Sequence, residues 1–334
     1  MTKTFIIAEA GVNHNGSLDR ALKMIDAAKS AGADAIKFQT FLPDQLATEY
    51  AEKAEYQIES TLKDSNQLEM LKKISLSFDE FKILHKECNK KNIEFLSTAF
   101  DIKSLDFLKT LNLKYYKIPS GEITNFPLIK KIACLNKKVI LSTGMSTIRD
   151  IEKVILLLNE EGLKNSKISI LHCNSEYPTP LQNVNLLSMI TLKNKFNLDI
   201  GLSDHSLGTD VPIAAVALGA KIIEKHFTLS KSLSGPDHKA SLNPTELKNM
   251  VKSIRNIQVA LGNKEKRPTK GELRNLIIAR KSIVASKSIR KGEEFSNINL
   301  TTKRPGDGIS PMKWNDILGQ KSKFNFKKND QIKL

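Results

Sequence analysis

The sequence predicts an α/β fold of the (β/α)8 barrel (TIM barrel) type, followed by a smaller β-rich domain. Eight short apolar runs recur along the chain, and segments with helical periodicity, such as residues 18–31, 104–113, 127–135 and 148–158, separate them. Parallel strands need such helical crossovers. The predicted strands include residues 5–8, 33–36, 93–96, 115–116, 138–141, 168–171, 199–202 and 221–223.

Each predicted strand ends at polar residues that can bind phosphate, carboxylate, carbonyl or metal. These residues are Glu9; Lys37 and Gln39; Ser97 and Thr98; Lys117, Ser120 and Glu122; Ser142 and Thr143; Asn174 and Ser175; Ser203, Asp204 and His205; Glu224 and His226. Turns are often polar, but a polar group at all eight strand ends indicates one shared active-site mouth. The alternative, an open doubly wound sheet, is disfavoured because no G-x-G-x-x-G follows the first run.

Length and apolar content indicate a globular protein. The 334 residues, 40% of them hydrophobic, suffice for one large domain and a small one. The N-terminal apolar run is too short for a signal-peptide core, and no segment has the length of a membrane span, so we expect a cytoplasmic protein without membrane partners. Cys88, Cys134 and Cys173 form no C-x-x-C pair, and we expect reduced, mostly buried thiols.

The net charge of +16 is expected to be mostly solvated surface charge, and its distribution argues against a nucleic-acid binder. Lysines are scattered beside acidic residues and aromatic residues make up 6% of the chain, whereas nucleic-acid binders group basic and aromatic side chains together. Lys37, Lys117 and Arg304 would make the barrel mouth cationic if they enter it, which suits a phosphorylated acid.

A domain boundary is predicted after the eighth strand. Asn243-Pro244-Thr245-Glu246 has the pattern of a helix start, and that helix closes a barrel over residues 1–262. Residues 263–280 have the polar composition of a linker. Residues 281–334 contain short β-type runs and glycine turns, which indicates a small β-rich domain that leans on a partner surface.

Two histidines point to a metal site. His205 and His226 follow neighbouring strands, so both imidazoles can reach one cation, and each has a carboxylate nearby in sequence. Two protein ligands leave positions for water and substrate, which suits Mn²⁺ or Mg²⁺ better than structural zinc. From spacing alone, a hydrogen-bonded core histidine remains the alternative.

The remaining strand ends suggest an anion site. Lys37, Lys117, Ser120, Ser142 and Ser203 could hold a phosphate and a carboxylate without a P-loop, and phosphoenolpyruvate carries both groups. Glu9 and Glu122 are expected to face each other across the mouth. Either could transfer protons or ligate metal, because burial decides which of them is the base.

Several ordered motifs resemble the sialic acid synthase family. They are IAEAGVNHNGS (residues 7–17), KFQT (37–40), KIPSGE (117–122), LSTGM (141–145), LHCNSEYPTP (171–180), GLSDH (201–205), EKHFT (224–228), SGPDH (234–238) and KRPGDGISP (303–311). The last motif resembles the antifreeze-like (SAF, β-clip) domain of the family. The resemblance covers nearly the whole chain.

The resemblance implies roles for individual positions. His205 and His226 would bind a divalent metal, Mn²⁺ first and Mg²⁺ or Co²⁺ otherwise, and Tyr177, Asp237 and Arg304 would contact an amino sugar. The residues implied around phosphoenolpyruvate are Glu9, Lys37, Gln39, Lys117, Ser120, Ser142, Ser175 and Ser203, with Glu122 as a proton-transfer group. Ser175 departs from the Asn found in some members. Arg304 would reach the barrel of a second subunit, which implies a domain-swapped homodimer.

The implied reaction joins phosphoenolpyruvate to an N-acetylmannosamine-type sugar, giving a nine-carbon 2-keto acid and phosphate. N-acetylneuraminate is the first expectation for the product and legionaminic acid the alternative; the Ser-Gly-Pro-Asp-His segment does not resemble the pseudaminic branch. Other classes are a non-catalytic sugar- or ice-binding protein and a nucleic-acid-binding protein, and salt-sensitive DNA binding would support the latter.

Overall fold

A computed structural model of the chain describes residues 3–54, 57–58 and 66–334. Strands β1 to β8 are paired in parallel in sequence order, and β8 pairs with β1, so the sheet closes into a barrel. This confirms the predicted (β/α)8 barrel. The strands are β1 Phe5–Gly11, β2 Ala35–Thr40, β3 Glu94–Ala99, β4 Tyr115–Ile118, β5 Lys138–Ser142, β6 Ile168–Cys173, β7 Asp199–Asp204 and β8 Ile222–His226.

Helices connect consecutive strands, and local sequence signals set their ends. Helix α1 begins after Ser17, whose side chain accepts a hydrogen bond from the Arg20 backbone N–H, and it ends at Gly32 in the left-handed conformation (φ 86°). The helices of the barrel are α1 Leu18–Ala31, α2 Pro43–Leu46, α3 Gln67–Ile74, α4 Phe78–Lys91, α5 Ile102–Thr110, α6 Phe126–Cys134, α7 Ile148–Glu160, α8 Ser188–Phe196, α9 Asp210–Ala217 and α10 Pro244–Ala260.

Alternation along the strands separates two apolar cores. Side chains such as Ile6, Ile36 and Leu141 belong to the large core that includes the apolar faces of the helices. Their strand neighbours point to the barrel interior because successive strand residues face opposite sides. This inner layer consists of Phe5, Ile7, Ala35, Leu96, Tyr115, Ile140, Leu171 and Ile222.

The next inward-facing layer is polar. Moving two residues along a strand from Ile7, Leu96 or Ile222 keeps the side chain on the same face and leads toward the carboxyl end. The residues reached in this way are Glu9, Lys37, Thr98, Lys117, Ser142, Cys173 and Glu224, and all are buried. The period of the strands therefore places a polar site on a closed apolar floor.

Residues 263–334 form a second compact unit, and residues 1–262 form the first. The second unit contains the antiparallel pair β9 (Ser282–Ala285) and β10 (Leu300–Lys303), together with helices α11 (Lys270–Ala279) and α12 (Trp314–Ile317). Its core consists of Ile283, Ala285, Ile289, Phe295, Leu300, Ile317, Phe326 and Ile332.

Part of the predicted linker is helical. Within residues 263–280, α11 begins at a capping box in which Thr269 and Glu272 exchange side-chain and backbone hydrogen bonds. Leu273, Leu276 and Ile277 then recur at helical spacing. The prediction weighed the polar residues 263–271 and overlooked this pattern.

The cysteines differ from the prediction at one position. Cys88 and Cys173 are buried free thiols, but Cys134 is exposed, because it lies in the last turn of α6 and turns away from the barrel. Among the described residues, no helix combines the length and the apolar character that a bilayer crossing needs.

Candidate active site

Two lysines and two glutamates form a buried ionic cluster inside the barrel. Lys37 Nζ lies 2.9 Å from Glu9 Oε2 and 3.6 Å from Glu224 Oε1, and Lys117 Nζ lies 3.0 Å from Glu224 Oε1. Ser203 Oγ donates to the same Glu224 oxygen at 2.9 Å. Strands β1, β2, β4, β7 and β8 thus supply one connected network at the bottom of the mouth.

The environment shifts the pKa values of the two carboxyl groups in this cluster in opposite directions. Burial raises the pKa of Glu9 to about 7, although Lys37 opposes the rise. Burial acts on Glu224 in the same direction, but Lys117 and Lys37 outweigh it and lower the pKa to about 2. Burial lowers the pKa of Lys117. When Glu9 is protonated and both lysines are charged, the cluster carries a net charge of +1, which suits an anion.

Some polar atoms at the site lack protein partners. Within the part of the chain that the structure describes, Ser142 Oγ and Glu224 Oε2 are buried and make no hydrogen bond. Such atoms are rare in folded proteins and call for a ligand or water. Ser142 Oγ is therefore available to an anion that the lysines attract.

The loops after β4, β5 and β6 approach each other around Gly144. Its backbone N–H donates to Ser120 Oγ at 2.9 Å. A Cβ atom added at Gly144 would lie 2.5 Å from Ser175 Oγ and 2.9 Å from Ser120 Oγ. Only glycine leaves both hydroxyls this close to the backbone, so these loops make a cradle of hydroxyl donors that the Gly144 N–H holds in place.

The two histidines are adjacent and face each other edge to face. The ring centroids of His205 and His226 are 5.3 Å apart. Tyr177 stacks on His205 with ring centroids 4.1 Å apart and lies edge-on to His226 at 5.6 Å. The structure therefore brings Tyr177 and both predicted metal ligands into one corner of the mouth.

Hydrogen bonding prepares these imidazoles for a cation. His205 Nδ1 donates to the Asn174 carbonyl oxygen, which leaves Nε2 as the nitrogen that a cation would bind. Burial lowers the pKa of His205, but Cys173 and the Asn174 carbonyl outweigh it and raise the pKa above its usual value, so a metal at Nε2 would have to displace a proton. His226 Nδ1 is buried without a hydrogen-bond partner among the described residues. Burial, followed by the charge of His205, holds the pKa of His226 well below its usual range, so the ring is neutral. A neutral His226 with an unpartnered nitrogen, next to a His205 whose Nε2 can lose its proton to a metal, fits a divalent ion.

Asp237 is a buried carboxyl group next to the His226 imidazole. Its Oδ2 lies 3.8 Å from His226 Nδ1, too far for a direct hydrogen bond, and burial raises the pKa of this carboxyl to about 6. In the described ranges no group of three or more His, Cys, Asp or Glu residues is arranged to hold a metal.

The remaining predicted residues are spread more widely. Gln39 Nε2 lies 3.4 Å from Glu9 Oε1, at the edge of the ionic cluster. Glu122 is half-buried in the 3-10 turn Ser120–Glu122, where its carboxylate accepts from Asn125 at 2.6 Å. Its ion pairs and hydrogen bonds are thus separate from those of Glu9. Arg304 belongs to the second unit, where Nε donates to the Ala279 carbonyl oxygen.

Two residues of the site had no predicted role: Glu224 was named only as a polar residue at a strand end, and Cys173 only as a buried thiol. Glu224 accepts bonds from both Lys117 and Ser203, and Cys173 Sγ lies 3.9 Å from His205 Nδ1. Strand periodicity places both in the site, because Glu224 lies two residues before His226, and Cys173 lies two residues after Leu171 on the inward face.

Family models cover both units of the chain. The NeuB family model matches residues 24–266, and the SAF domain model matches residues 280–334. The chain is 52% identical to N,N'-diacetyllegionaminic acid synthase of Campylobacter jejuni over 100% of both chains. It is 46% identical to the Legionella pneumophila enzyme of the same name, over 96% of this chain and 91% of that one.

A solved structure agrees with these matches. The N-acetylneuraminic acid (sialic acid) synthetase of Leptospira borgpetersenii, solved with citrate, is 36% identical and has a TM-score of 0.72, covering 82% of this chain and 90% of that chain. Together with the closed barrel and the buried site, these matches establish the enzyme class. The chain belongs to the NeuB family, carries a C-terminal SAF domain, and is a nonulosonic (sialic-type) acid synthase.

Proposed function

We propose that this enzyme condenses phosphoenolpyruvate with 2,4-diacetamido-2,4,6-trideoxymannose to give N,N'-diacetyllegionaminic acid and phosphate. The observation that carries the reaction is the buried pair Lys37 and Lys117, which lies in the same mouth as His205 and His226. The two relatives of highest identity reported above carry this product in their names, which favours the substrate that the sequence analysis left as the alternative.

The phosphoenolpyruvate site would use the buried cations and the unpartnered hydroxyl. Lys37 and Lys117 supply two ammonium groups, and Ser142 Oγ supplies a donor that the protein leaves unused. The cradle of Ser120, Gly144 and Ser175 adds hydroxyl donors for a second anionic group, with the Ser120 oxygen held by the Gly144 N–H. Holding phosphate and carboxylate at fixed places orients C3 of phosphoenolpyruvate toward the sugar, and orientation contributes much of the rate.

The amino sugar would lie against the histidine corner. His205 and His226 would hold a divalent ion, Mn²⁺ first and Mg²⁺ or Co²⁺ otherwise, and a bound ion there would supply Lewis acidity toward the sugar aldehyde. Tyr177 offers an aromatic face beside both rings, and the Asp237 carboxyl reaches the same corner. These two residues would orient the acetamido and hydroxyl groups.

The chemistry requires one carbon–carbon bond and one molecule of water. C3 of phosphoenolpyruvate attacks the aldehyde carbon, whose oxygen becomes a hydroxyl with a proton that comes overall from the added water, and the attack leaves cationic character at C2. Water then adds to C2, and phosphate leaves by C–O cleavage to give the 2-keto acid. Glu224 stays ionised and stabilises the cation, while Glu9, with a pKa of about 7, can accept a proton from water near neutral pH.

Arg304 would complete the sugar site in a domain-swapped homodimer. It is exposed and lies in the second unit, so a second copy of the chain could present it. A monomer would then lack a complete site. The proposal also includes a cytoplasmic location for the enzyme. Analytical ultracentrifugation would test the dimer, and mixing His226→Asn with Arg304→Ala chains would restore activity if the sites are shared.

Phosphate release tests the reaction. We expect release from phosphoenolpyruvate with the diacetamido sugar and Mn²⁺, loss of release with a chelator, and recovery with added Mn²⁺. His226→Asn should abolish it, whereas His85→Asn, on the outer helix α4, should not. Release that survives both the chelator and His226→Asn would contradict the metal assignment.

N-acetylmannosamine is the second candidate acceptor. The Leptospira structure, named as a sialic acid synthetase, shares this fold at 36% identity. Offering N-acetylmannosamine alone, with the same metal and with product detection by mass, separates the two acceptors.

A further inference from the structure

A fully buried ion pair lies on the outer face of the barrel beside the two histidines. Lys225 Nζ is 2.5 Å from Asp204 Oδ2, and the two side chains are 0% and 2% exposed. Their position outside the barrel follows from alternation, because Ser203 and Glu224, the preceding strand residues, face inward. The pair therefore makes no contact with substrate.

The register of the sheet connects this pair to the metal corner. Asp204 and Lys225 are directly opposite each other on β7 and β8. Each is followed at once by a histidine, His205 after Asp204 and His226 after Lys225. An ion pair that ties these two backbones together fixes the distance between the imidazoles that follow them.

Further hydrogen bonds restrain the backbone on both sides of His205. Asp204 Oδ1 accepts from the Ser206 backbone N–H at 3.0 Å and from Ser206 Oγ at 2.8 Å. Lys225 Nζ also donates to the Ser206 carbonyl oxygen. On the other flank, the Thr179 N–H donates to the His205 carbonyl oxygen at 2.9 Å. The backbone at His205 thus has little freedom to move away from β8.

Stability alone does not account for a lysine at this place. Exchanging a buried ion pair for apolar or neutral residues of similar volume is often neutral or stabilising. The geometry of the pair does have a consequence at the site, because the two imidazoles that it spaces would have to meet one cation. Residues that orient metal ligands typically change metal affinity by 10- to 100-fold when they are replaced.

We infer that Asp204 and Lys225 are positioning residues that set the spacing of His205 and His226 and thereby the affinity of the site for a divalent metal. The inference rests on the proposed metal site. It assigns a role to two residues that touch neither the metal nor the sugar.

Direct metal titration of the full-length protein tests it. Free Mn²⁺ is followed by electron paramagnetic resonance as protein is added, and thermal unfolding is recorded in parallel. In Asp204→Asn/Lys225→Met, the Asn oxygen can still accept from Ser206, and Met fills the volume of Lys. We expect this variant to bind Mn²⁺ at least tenfold more weakly than the natural protein. Unchanged affinity would overturn the inference.

A second ion pair of the barrel provides the control. Arg255 Nη2 lies 2.6 Å from Asp34 Oδ2, and this partly buried pair lies at the amino-terminal ends of β1 and β2, whereas the histidines lie at the carboxyl ends of β7 and β8. Asp34→Asn/Arg255→Met should lower the unfolding temperature and leave Mn²⁺ affinity unchanged. An equal loss of Mn²⁺ affinity in this control would show a general effect of destabilisation and would also overturn the inference.

Two further outcomes remain distinguishable. If Asp204→Asn/Lys225→Met does not fold, Lys225→Gln decides, because Gln keeps an N–H donor while it removes the charge and shortens the side chain. We expect a weaker but measurable loss of Mn²⁺ affinity, and no loss would overturn the inference. A natural protein that binds no Mn²⁺ would overturn the metal proposal together with this one, whereas normal binding by both proteins removes the positioning role alone.

Discussion

Lys117 and Glu224 meet across the interior of the barrel, with Nζ 3.0 Å from Oε1. They lie on β4 and β8, which are opposite strands of the closed sheet. The same carboxylate oxygen accepts from Ser203 and lies 3.6 Å from Lys37 Nζ. Glu224 thus pairs with both Lys37 and Lys117, and its loss should affect folding and anion binding together.

Glu224→Ala should destabilise the protein and make its stability depend on anions. Removing one partner of a buried pair costs about 3–5 kcal/mol because the remaining charge stays uncompensated. Phosphate or phosphoenolpyruvate should recover part of the loss, since either can compensate the two ammonium groups. Urea unfolding with and without phosphate measures both effects. Glu152→Ala, which breaks the half-exposed pair with Lys195, should cost less than about 1 kcal/mol without anion rescue.

Ser142→Ala should impair substrate binding and leave stability unchanged. The hydroxyl is buried and makes no hydrogen bond to any described residue, so the fold loses nothing when it is removed. A lost hydrogen bond to a phosphate or carboxylate is worth about 1.5–3 kcal/mol, or roughly 10- to 100-fold in the KM for phosphoenolpyruvate. Steady-state kinetics measures the KM for phosphoenolpyruvate, and thermal unfolding measures the stability. An unchanged KM would remove Ser142 from the anion site.

Gly144→Ala should reduce phosphoenolpyruvate binding much more than Gly121→Ala does. The new Cβ at position 144 would lie 2.5 Å from Ser175 Oγ and 2.9 Å from Ser120 Oγ, so both hydroxyls have to move. At Gly121 the same atom meets nothing within 4 Å, although that residue belongs to the same turn as Ser120. Isothermal titration with phosphoenolpyruvate compares the two variants. Equal affinities would show that the loops form no anion cradle.

Glu9→Gln should change the pH dependence of stability. Burial raises the pKa of Glu9 from 4.5 to about 7, so the folded chain holds this proton more tightly than the unfolded chain. The resulting stabilisation is fully present below pH 4.5 and is lost as the pH rises to 7, a change of up to about 3 kcal/mol. Gln cannot titrate, so the variant should gain stability relative to the natural protein over this range. Parallel stability curves from urea unfolding at several pH values would contradict this prediction.

Strand periodicity explains why much of the architecture could be predicted. Apolar runs that end in polar residues marked β1 to β8, and helix starts such as Asn243-Pro244 marked α10. The predicted helices matched α1, α5, α6 and α7 with ends that moved by up to three residues, as expected where caps and fraying decide the boundary.

The site was less accessible to sequence reasoning because it depends on pairs that are distant along the chain. Glu224 and Lys117 are 107 positions apart, and nothing in either segment shows that they share an oxygen atom. Glu9 and Glu122 both follow strands, but Glu9 pairs with Lys37 while Glu122 bonds within its own turn. The prediction missed the helical part of residues 263–280 because it relied on the polar residues at the start of this range. It did not take into account the helical spacing of Leu273, Leu276 and Ile277.

The most direct test of the central claim is a comparison of acceptor sugars under identical conditions. The catalytic efficiency kcat/KM is measured with Mn²⁺, saturating phosphoenolpyruvate and either 2,4-diacetamido-2,4,6-trideoxymannose or N-acetylmannosamine, and each product is identified by mass spectrometry. We predict phosphate release and a nine-carbon diacetamido acid with the first sugar, at an efficiency at least tenfold above that with the second. A preference for N-acetylmannosamine would contradict the legionaminate assignment and leave the reaction class intact, and no condensation with either sugar would contradict the proposed substrates.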